Sequence, residues 1–552
     1  MSIIRQATMT GAEGIVHSLE IEGISKVFCV PGESYLPVLD AIYETNSIDL
    51  ISTRHESGAS FMAEGYAKAT RKPGVVMATR GVGAANLSIG VHTAFQDSTP
   101  MVVFLGQVDS HFLGREGFQE VDLVQFFKPI AKWSVEITHA SRVPELVQRA
   151  FRIAQSGRPG PVIVSLPEDM LKQEAHLVFS NPVNRPAPSP SHQEINSVAA
   201  CLQEGKRPLI IAGGGIKSAY AEDELLAFAE KYQIPVMAAF RRHDVFPNNH
   251  ELYVGHLGLG TNAEVLETVR QADAIIALGT RLSEVTTQDY SIISNKQTLI
   301  HIDIDASILG SVFPPEIGIV ADMKAALSAL LKLELPSYSR DWANTRRRHY
   351  EKASHLELKV DQELIDNSQV MAHLQKALPE DAILTNDAGN FASWLHTFYQ
   401  FRKKRTYIGP TSGAMGYGMP AALGAKLAFP GKTVVSLSGD GGFMMTIQEL
   451  ETAVRYQIPI ISIVFNNQMY GTIRMHQEIH FPNRISGTEL GTVQFSQLAK
   501  SMGADGFFVN SMADFKYVFN KALKNNRPTV IEVPMDKEQI TISRTITQLR
   551  TR

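Results

Sequence analysis

The sequence predicts an α/β protein of three doubly wound parallel-sheet domains, and three observations predict it. First, short β-branched runs alternate with amphipathic stretches along most of the chain, the pattern of strand, crossover helix and parallel strand. Second, nearly every such run closes on glycine or a polar residue, the turn chemistry of a strand feeding a helix. Third, two stretches interrupt the alternation. SNPVNRPAPSPSHQE, Ser180 to Glu194, is rich in proline and serine and reads as an extended linker, and the charged, partly helical Pro336 to Glu363 makes a second crossing. They divide the chain into domains at 1–179, 190–335 and 364–552. A chain of 552 residues is too long for one core, so several are required.

The first twenty residues, MSIIRQATMTGAEGIVHSLE, read as an amphipathic helix carrying acids, not as a basic start followed by an apolar secretion core. In the first segment KVFCVPG, DLISTRHE, GVVMATRG, PMVVFLGQ and GPVIVSLPED are strands; in the second, RPLIIAGGG, IPVMAAF, DAIIALGT and TLIHIDID; in the third, DAILTND, TVVSLSGDGG, IPIISIVFNN and PTVIEVP. The run Arg346-Arg347-Arg348 in the second crossing reads as a solvated helix face with no role. Ligands in such sheets bind beyond the carboxyl ends of strands, so the residues closing each run are the candidates for chemistry.

Charge and cysteine content narrow the function. A net charge of −4 gives no basic footprint for nucleic acid, and no apolar run approaches the length of a membrane span. Cys29 and Cys201 lie far apart with no CxxC spacing, which argues against disulfides or zinc and fits a reducing, cytoplasmic setting. The expectation is small-molecule chemistry.

The stretch GDGGFMMTIQELETAVRYQIPIISIVFNN, Gly439 to Asn467, is one strand–turn–helix–strand unit. Glycines let a backbone approach phosphate oxygens, and the following helix start offers N–H groups to an anion. There is no Gly-Lys-Ser/Thr of a P-loop, and an asparagine stands where a dinucleotide site carries the acid that holds a ribose. Asp440 and Asn467 close adjacent strands and can offer a carboxylate and an amide oxygen to one hard cation, such as Mg2+ shared with a diphosphate. A plain glycine turn and an asparagine-capped strand is the bland alternative. Glu56, between a strand and a helix in DLISTRHESGASFMAEGYAKAT, reads by itself as a favourable charge at a helix start, and His55 beside it as a packing or capping residue.

With Gly439-Asp440-Gly441 and Asn466-Asn467 in view, the chain resembles the thiamine-diphosphate-dependent enzymes over nearly its whole length, in the order pyrimidine-binding, central and diphosphate-binding domain. The resemblance implies Mg2+ held by Asp440, Asn467 and the main-chain carbonyl of Met469, with Gly439, Gly441, Gly442 and Tyr470 around the diphosphate. It makes Glu56 the carboxyl group that activates the cofactor through its aminopyrimidine, and Met415, in SGAMGYGMPAALGA, the apolar prop beneath the cofactor. It also implies active sites between subunits, hence a homodimer or homotetramer.

GRPGPVIVSLPED, HIDID and LGREGFQEVD are similar to acetolactate synthases, whose Phe-Gln pair near cofactor and substrate corresponds to Phe118 and Gln119. Gly32, Arg281 and His476 correspond to substrate-side positions of that group. Pro31-Gly32-Glu33 departs from its Pro-Gly-Gly, and His476 stands where those enzymes place a tryptophan favouring 2-ketobutyrate. The implied activity is decarboxylation of a 2-keto acid, most simply pyruvate, and ligation of the two-carbon unit to a second carbonyl. A non-ligating 2-keto acid decarboxylase, a 2-hydroxyacyl lyase and a non-catalytic thiamine-binding relative are the alternatives. The loop IIAGGGIKSAY leaves FAD open, and no regulatory subunit is identified.

Overall fold

A computed structural model describes residues 6–335, 337–356 and 365–550. It contains three parallel sheets of six strands each, with helices on their faces, which is the α/β architecture expected. In spatial order the first sheet runs Asp49–Ser52, Lys26–Cys29, Gly74–Thr79, Met101–Gln107, Pro161–Pro167 and Trp133–Glu136. The third runs Tyr407–Ile408, Ile383–Asn386, Val434–Gly439, Ile461–Asn466, Thr529–Pro534 and Asp505–Phe508. Numbered along the chain, both follow the order 2-1-3-4-6-5, so the two outer domains share one topology. The central sheet instead follows 3-2-1-4-5-6, the order of dinucleotide-binding folds, and its switch point lies between Pro208–Ala212 and Ala274–Leu278.

Two expectations about the elements need correction. The chain start is not one helix: Gln6–Thr10 is a strand paired antiparallel with Glu174–Val178, and the helix Gly11–Ile21 begins only where Thr10 and Glu13 form a capping box. The arginine run is not a solvated face. Arg346 is buried over the Trp342 ring, and Arg347 donates to the carbonyls of Asn248, His250 and Tyr253, tying the helix Arg340–Ala353 to the central domain. The last part of that second crossing, 357–363, lies outside the described residues. Of the first linker, 180–191 carries no regular secondary structure, and the helix His192–Glu204 starts at a Ser191–Glu194 capping box.

The outer domains are joined within the chain by two equivalent helices, Glu56–Thr70 and Gly418–Ala428, each the crossover that follows the second strand of its sheet. One apolar core runs through this contact, from Phe28 and Phe61 to Leu423 and Val464. Glycine makes the approach: a Cβ on Gly424 would lie 2.1 Å from the Met62 carbonyl oxygen, and one on Gly65 would lie 2.5 Å from that of Ala421. Tyr417 reaches Glu64 across the same seam, and Lys68, one turn along the helix that carries Glu64, pairs with it at 2.9 Å; burial raises the Glu64 carboxyl and Lys68 pulls the other way. No described helix is long and apolar enough to cross a membrane.

Candidate active site

Two clusters of polar residues form at carboxyl strand ends, one in each outer domain. In the third domain Val434–Gly439 pairs in parallel with Ile461–Asn466, which sets Gly439 opposite Phe465 and brings Asp440 beside the Asn467–Tyr470 loop. Asp440 opens the helix Asp440–Thr446 and is buried. Burial pushes its carboxyl up to about 6, while the N–H groups of Gly441, Gln468 and Met469 against it favour the charged form. Asn467 Oδ1 accepts from the Met469 N–H at 3.2 Å. Asn466 donates its amide to Glu532 at 3.0 Å while its Oδ1 accepts from the Gln468 N–H at 3.3 Å, so both asparagines brace the loop. The loop is clamped from outside, Tyr470 N–H donating to Thr488 O and Leu490 N–H to Gln468 O, and the Met469 carbonyl takes neither bond.

The glycines of GDGG are sterically required. A Cβ on Gly441 would stand 2.7 Å from the Tyr470 ring, and one on Gly442 would stand 2.6 Å from an Asp387 carboxylate oxygen. Met415 is brought to the same place, because the Thr446 hydroxyl donates to the Gly416 carbonyl at 2.7 Å. The sequence reading overlooked Asp387 and Asn390. Asp387 is fully buried, pushed up to about 6 by that burial, and accepts from the Gly418 N–H at 2.5 Å. Asn390 accepts from the Thr472 hydroxyl at 2.9 Å. The signal was present, since Asp387 closes the run DAILTND and strand-closing residues were the candidates.

In the first domain the helix Arg80–Asp97 organises the second cluster. Its Asn86 donates to Glu56 at 2.9 Å, and Gly83 leaves room for the same carboxylate. Glu56 is buried at the first residue of its helix, whose N-cap is His55 accepting from the Ser57 N–H. Gly81 N–H donates to the Gln119 carbonyl at 3.0 Å, and Arg80 stands over the exposed Phe118 ring. Gly32 packs on Thr79, where a Cβ would lie 2.5 Å away. Glu56, Gly32, Phe118 and Gln119 therefore gather around one helix start.

Two other candidates stand apart. Arg281 lines a cavity of about 370 Å³ at the switch point of the central sheet, together with Gly214, Gly215, Thr280, Asp303 and Arg242, and no residue of the clamp lines it. Burial, with Arg158 and Arg242 nearby, pushes its guanidinium down to about 10. His476 is exposed on the helix Gly471–His480 and stacks on His480. Its neighbour Arg474 is buried in an ion pair with Glu478 at 2.9 Å.

Comparison with known proteins meets this geometry domain by domain. Three family models match: thiamine pyrophosphate enzyme N-terminal TPP binding domain over 9–126, central domain over 195–330, and C-terminal TPP binding domain over 387–533. The chain is 34% identical over 546 residues to a Methanocaldococcus jannaschii protein named "Probable acetolactate synthase large subunit", covering 96% of this chain and 92% of that protein. It is 34% identical to the acetolactate synthase large subunit of Lactococcus lactis, covering 96% and 93% of the two chains. It is 32% identical to the acetolactate synthase isozyme 3 large subunit of Escherichia coli, covering 96% and 95%. With the expected domain order matched and likeness along almost its full length, this chain belongs to the thiamine pyrophosphate enzyme family and is a thiamine-diphosphate-dependent enzyme of the acetolactate synthase kind.

Proposed function

We propose that the protein decarboxylates pyruvate and joins the two-carbon unit to a second 2-keto acid, forming acetolactate. The observation that carries this reading is the retention of both half-sites: a buried Asp440 against the Asn467–Met469 loop, and a buried Glu56 oriented by Asn86. The cradle fits a metal-bound diphosphate. Its glycines exclude side chains, its carboxylate is dehydrated, and the Met469 carbonyl is not used by the loop's own bonds. Asp440, Asn467 Oδ1 and the Met469 carbonyl would hold Mg2+, with Gly439 to Gly442 along the diphosphate and Met415 beneath the ring system. When bound, thiamine diphosphate supplies a carbon nucleophile and an electron sink for decarboxylation. The protein's own work is to hold a proton at Glu56 against the cofactor's pyrimidine, to orient the 2-keto acid beside Phe118 and Gln119, and to keep water out.

Among the described residues no hydrogen bond joins Glu56 to the clamp. Exposed apolar residues border both half-sites: Val82 and Ile89 on one helix, Phe118 on its loop, Met444 and Met445 on the clamp helix. This supports a homodimer, or a tetramer of such pairs, in which the first domain of one chain covers the third domain of another. The central cavity, with Arg158, Arg185, Arg242 and Arg281 along it and Asp303 at a strand end, is assigned to FAD: the basic side chains suit a diphosphate and the acid suits a ribose. Gly213 and Gly215 also serve packing, since a Cβ on either would strike Gly279, and Gly214 and Gly215 line the cavity. A cytoplasmic setting is proposed as well, in keeping with the two free cysteines, Cys29 and Cys201.

The test is product identification after incubation with pyruvate alone and with added 2-ketobutyrate. Acetolactate is expected, with no preference for the longer acceptor, because exposed His476 offers no apolar wall and one methylene in such a wall is worth only about 1–3 kcal/mol. Acetaldehyde alone would mean a non-ligating decarboxylase, and no turnover of any 2-keto acid would mean a lyase or a non-catalytic relative.

A further inference from the structure

Glu449 is fully buried on the helix Glu449–Arg455 of the third domain, one turn beyond the clamp helix Asp440–Thr446. Its carboxylate leaves its own domain. Oε1 accepts from the main-chain N–H of His55 at 2.9 Å, and both oxygens lie 3.2 Å from the N–H of Arg54. The Thr452 hydroxyl donates to the other oxygen at 2.7 Å and fixes the rotamer. Arg54 and His55 are the two residues before Glu56. The fit is exclusive, since a Cβ on Gly58 would lie 2.4 Å from Glu449 Oε1. Burial pushes the Glu449 carboxyl up to about 7, the Thr452 hydroxyl and the N–H groups of Arg54 and His55 pull the other way, and two of these three donors are the main chain of the turn that carries the proposed acid.

A reciprocal contact accompanies it. Asp97, at the end of the first domain's helix Arg80–Asp97, accepts from the Thr411 N–H at 3.0 and 3.1 Å in the loop after the third domain's second strand. Each outer domain thus sends an acid from the helix after its third strand to the loop after the other's second strand.

We propose that Glu449 is a positioning residue for the reaction: it fixes the Arg54–Glu56 turn from the clamp domain of the same chain, so that the acid and the clamp move as one body. The proposal rests on the reading of Glu56 as the cofactor-activating group. A residue that touches neither substrate nor cofactor should change the rate of activation and leave ligand affinity alone. Displacing a reacting group by about 1 Å can cost on the order of a hundredfold, and a partial loss of support less.

The experiment uses the holoenzyme with saturating thiamine diphosphate and Mg2+. Glu449→Gln keeps the volume and one acceptor for His55 but turns an N–H2 toward Arg54. It is expected to lower kcat on the order of tenfold and to slow hydrogen–deuterium exchange at C2 of the bound cofactor by the same factor, with KM for pyruvate, cofactor Kd and Tm near the parent's. Glu449→Ala is expected to lose more, and Gly58→Ala to lose rate in the parent but little further in Glu449→Ala, where its Cβ has room. Should Glu449→Ala fail to fold, the Gln variant decides. Parental kcat and exchange in Glu449→Gln, a loss cured by more cofactor, or an equal Gly58→Ala effect in both backgrounds would overturn the proposal. Glu56→Gln run alongside separates the two readings. A fast Glu56→Gln sinks the assignment of Glu56 and this inference with it, whereas a slow Glu56→Gln beside a fast Glu449→Gln sinks this inference alone.

Discussion

Glu56 and Asp440 are both buried carboxyl groups beyond strand ends, yet their surroundings set them different tasks. Asp440 lies among main-chain N–H groups at a helix start, where an anion shared with a cation is favoured; Glu56 meets a single amide donor and is open to receive a hydrogen-bond partner from a ligand. Asp440→Ala is therefore expected to abolish Mg2+-dependent binding of thiamine diphosphate in calorimetric titration, since it removes the one carboxylate among the proposed metal ligands. Glu56→Gln is expected to bind the cofactor normally and to turn over on the order of a hundredfold more slowly in steady-state assays. At this scale the meeting of Asp440 with the loop after Asn467 was legible, because GDG and NN close adjacent strands of one unit. Glu449 was not legible, since nothing in a linear reading says that a glutamate within a helix will point into another domain.

Among the elements, every strand missed in the six-stranded sheets lies at an edge: Trp133–Glu136, Tyr253–His256, Ile317–Val320, Tyr407–Ile408 and Asp505–Phe508; the other two missed, Gln6–Thr10 and Glu174–Val178, pair with each other in a sheet of two. An edge strand is covered on one side only, so it carries a shorter and more polar run than a central strand and leaves a weaker signal. A helix after Glu56 was read, but its packing on Gly418–Ala428 was hidden, because glycines that permit close approach look in sequence like loss of helical propensity. Gly424→Ala is expected to destabilise the chain by about 3 kcal/mol in denaturant titration, as its Cβ meets fixed main-chain atoms. The helix Ile546–Arg550 depends on charge. Arg550 hydrogen-bonds Glu478, which also binds Arg474, and this pairing holds the Glu478 carboxyl down to about 2. A carboxyl held below its ordinary value of 4.5 stabilises the fold fully above that pH and loses the contribution as pH falls toward 2. Amide hydrogen exchange in 546–550 is expected to speed up on acidification through that window, and Glu478→Gln to show the fast exchange already at neutral pH.

For the whole molecule, the outer domains repeat one strand order, 2-1-3-4-6-5, and face each other within the chain through equivalent helices, while their half-sites are proposed to meet across chains. Such an arrangement has a genetic consequence. A chain carrying Glu56→Gln keeps a sound clamp, and a chain carrying Asp440→Ala keeps a sound acid, so each alone is dead in both of its sites. In a mixed dimer one site receives both injuries and the other receives none. Co-expression of the two inactive alleles is therefore expected to restore about a quarter of parental activity, half the dimers being mixed and half their sites intact. Activity that stays at zero in the mixture would place acid and clamp in one chain, and two recessive defects that complement would place them in two.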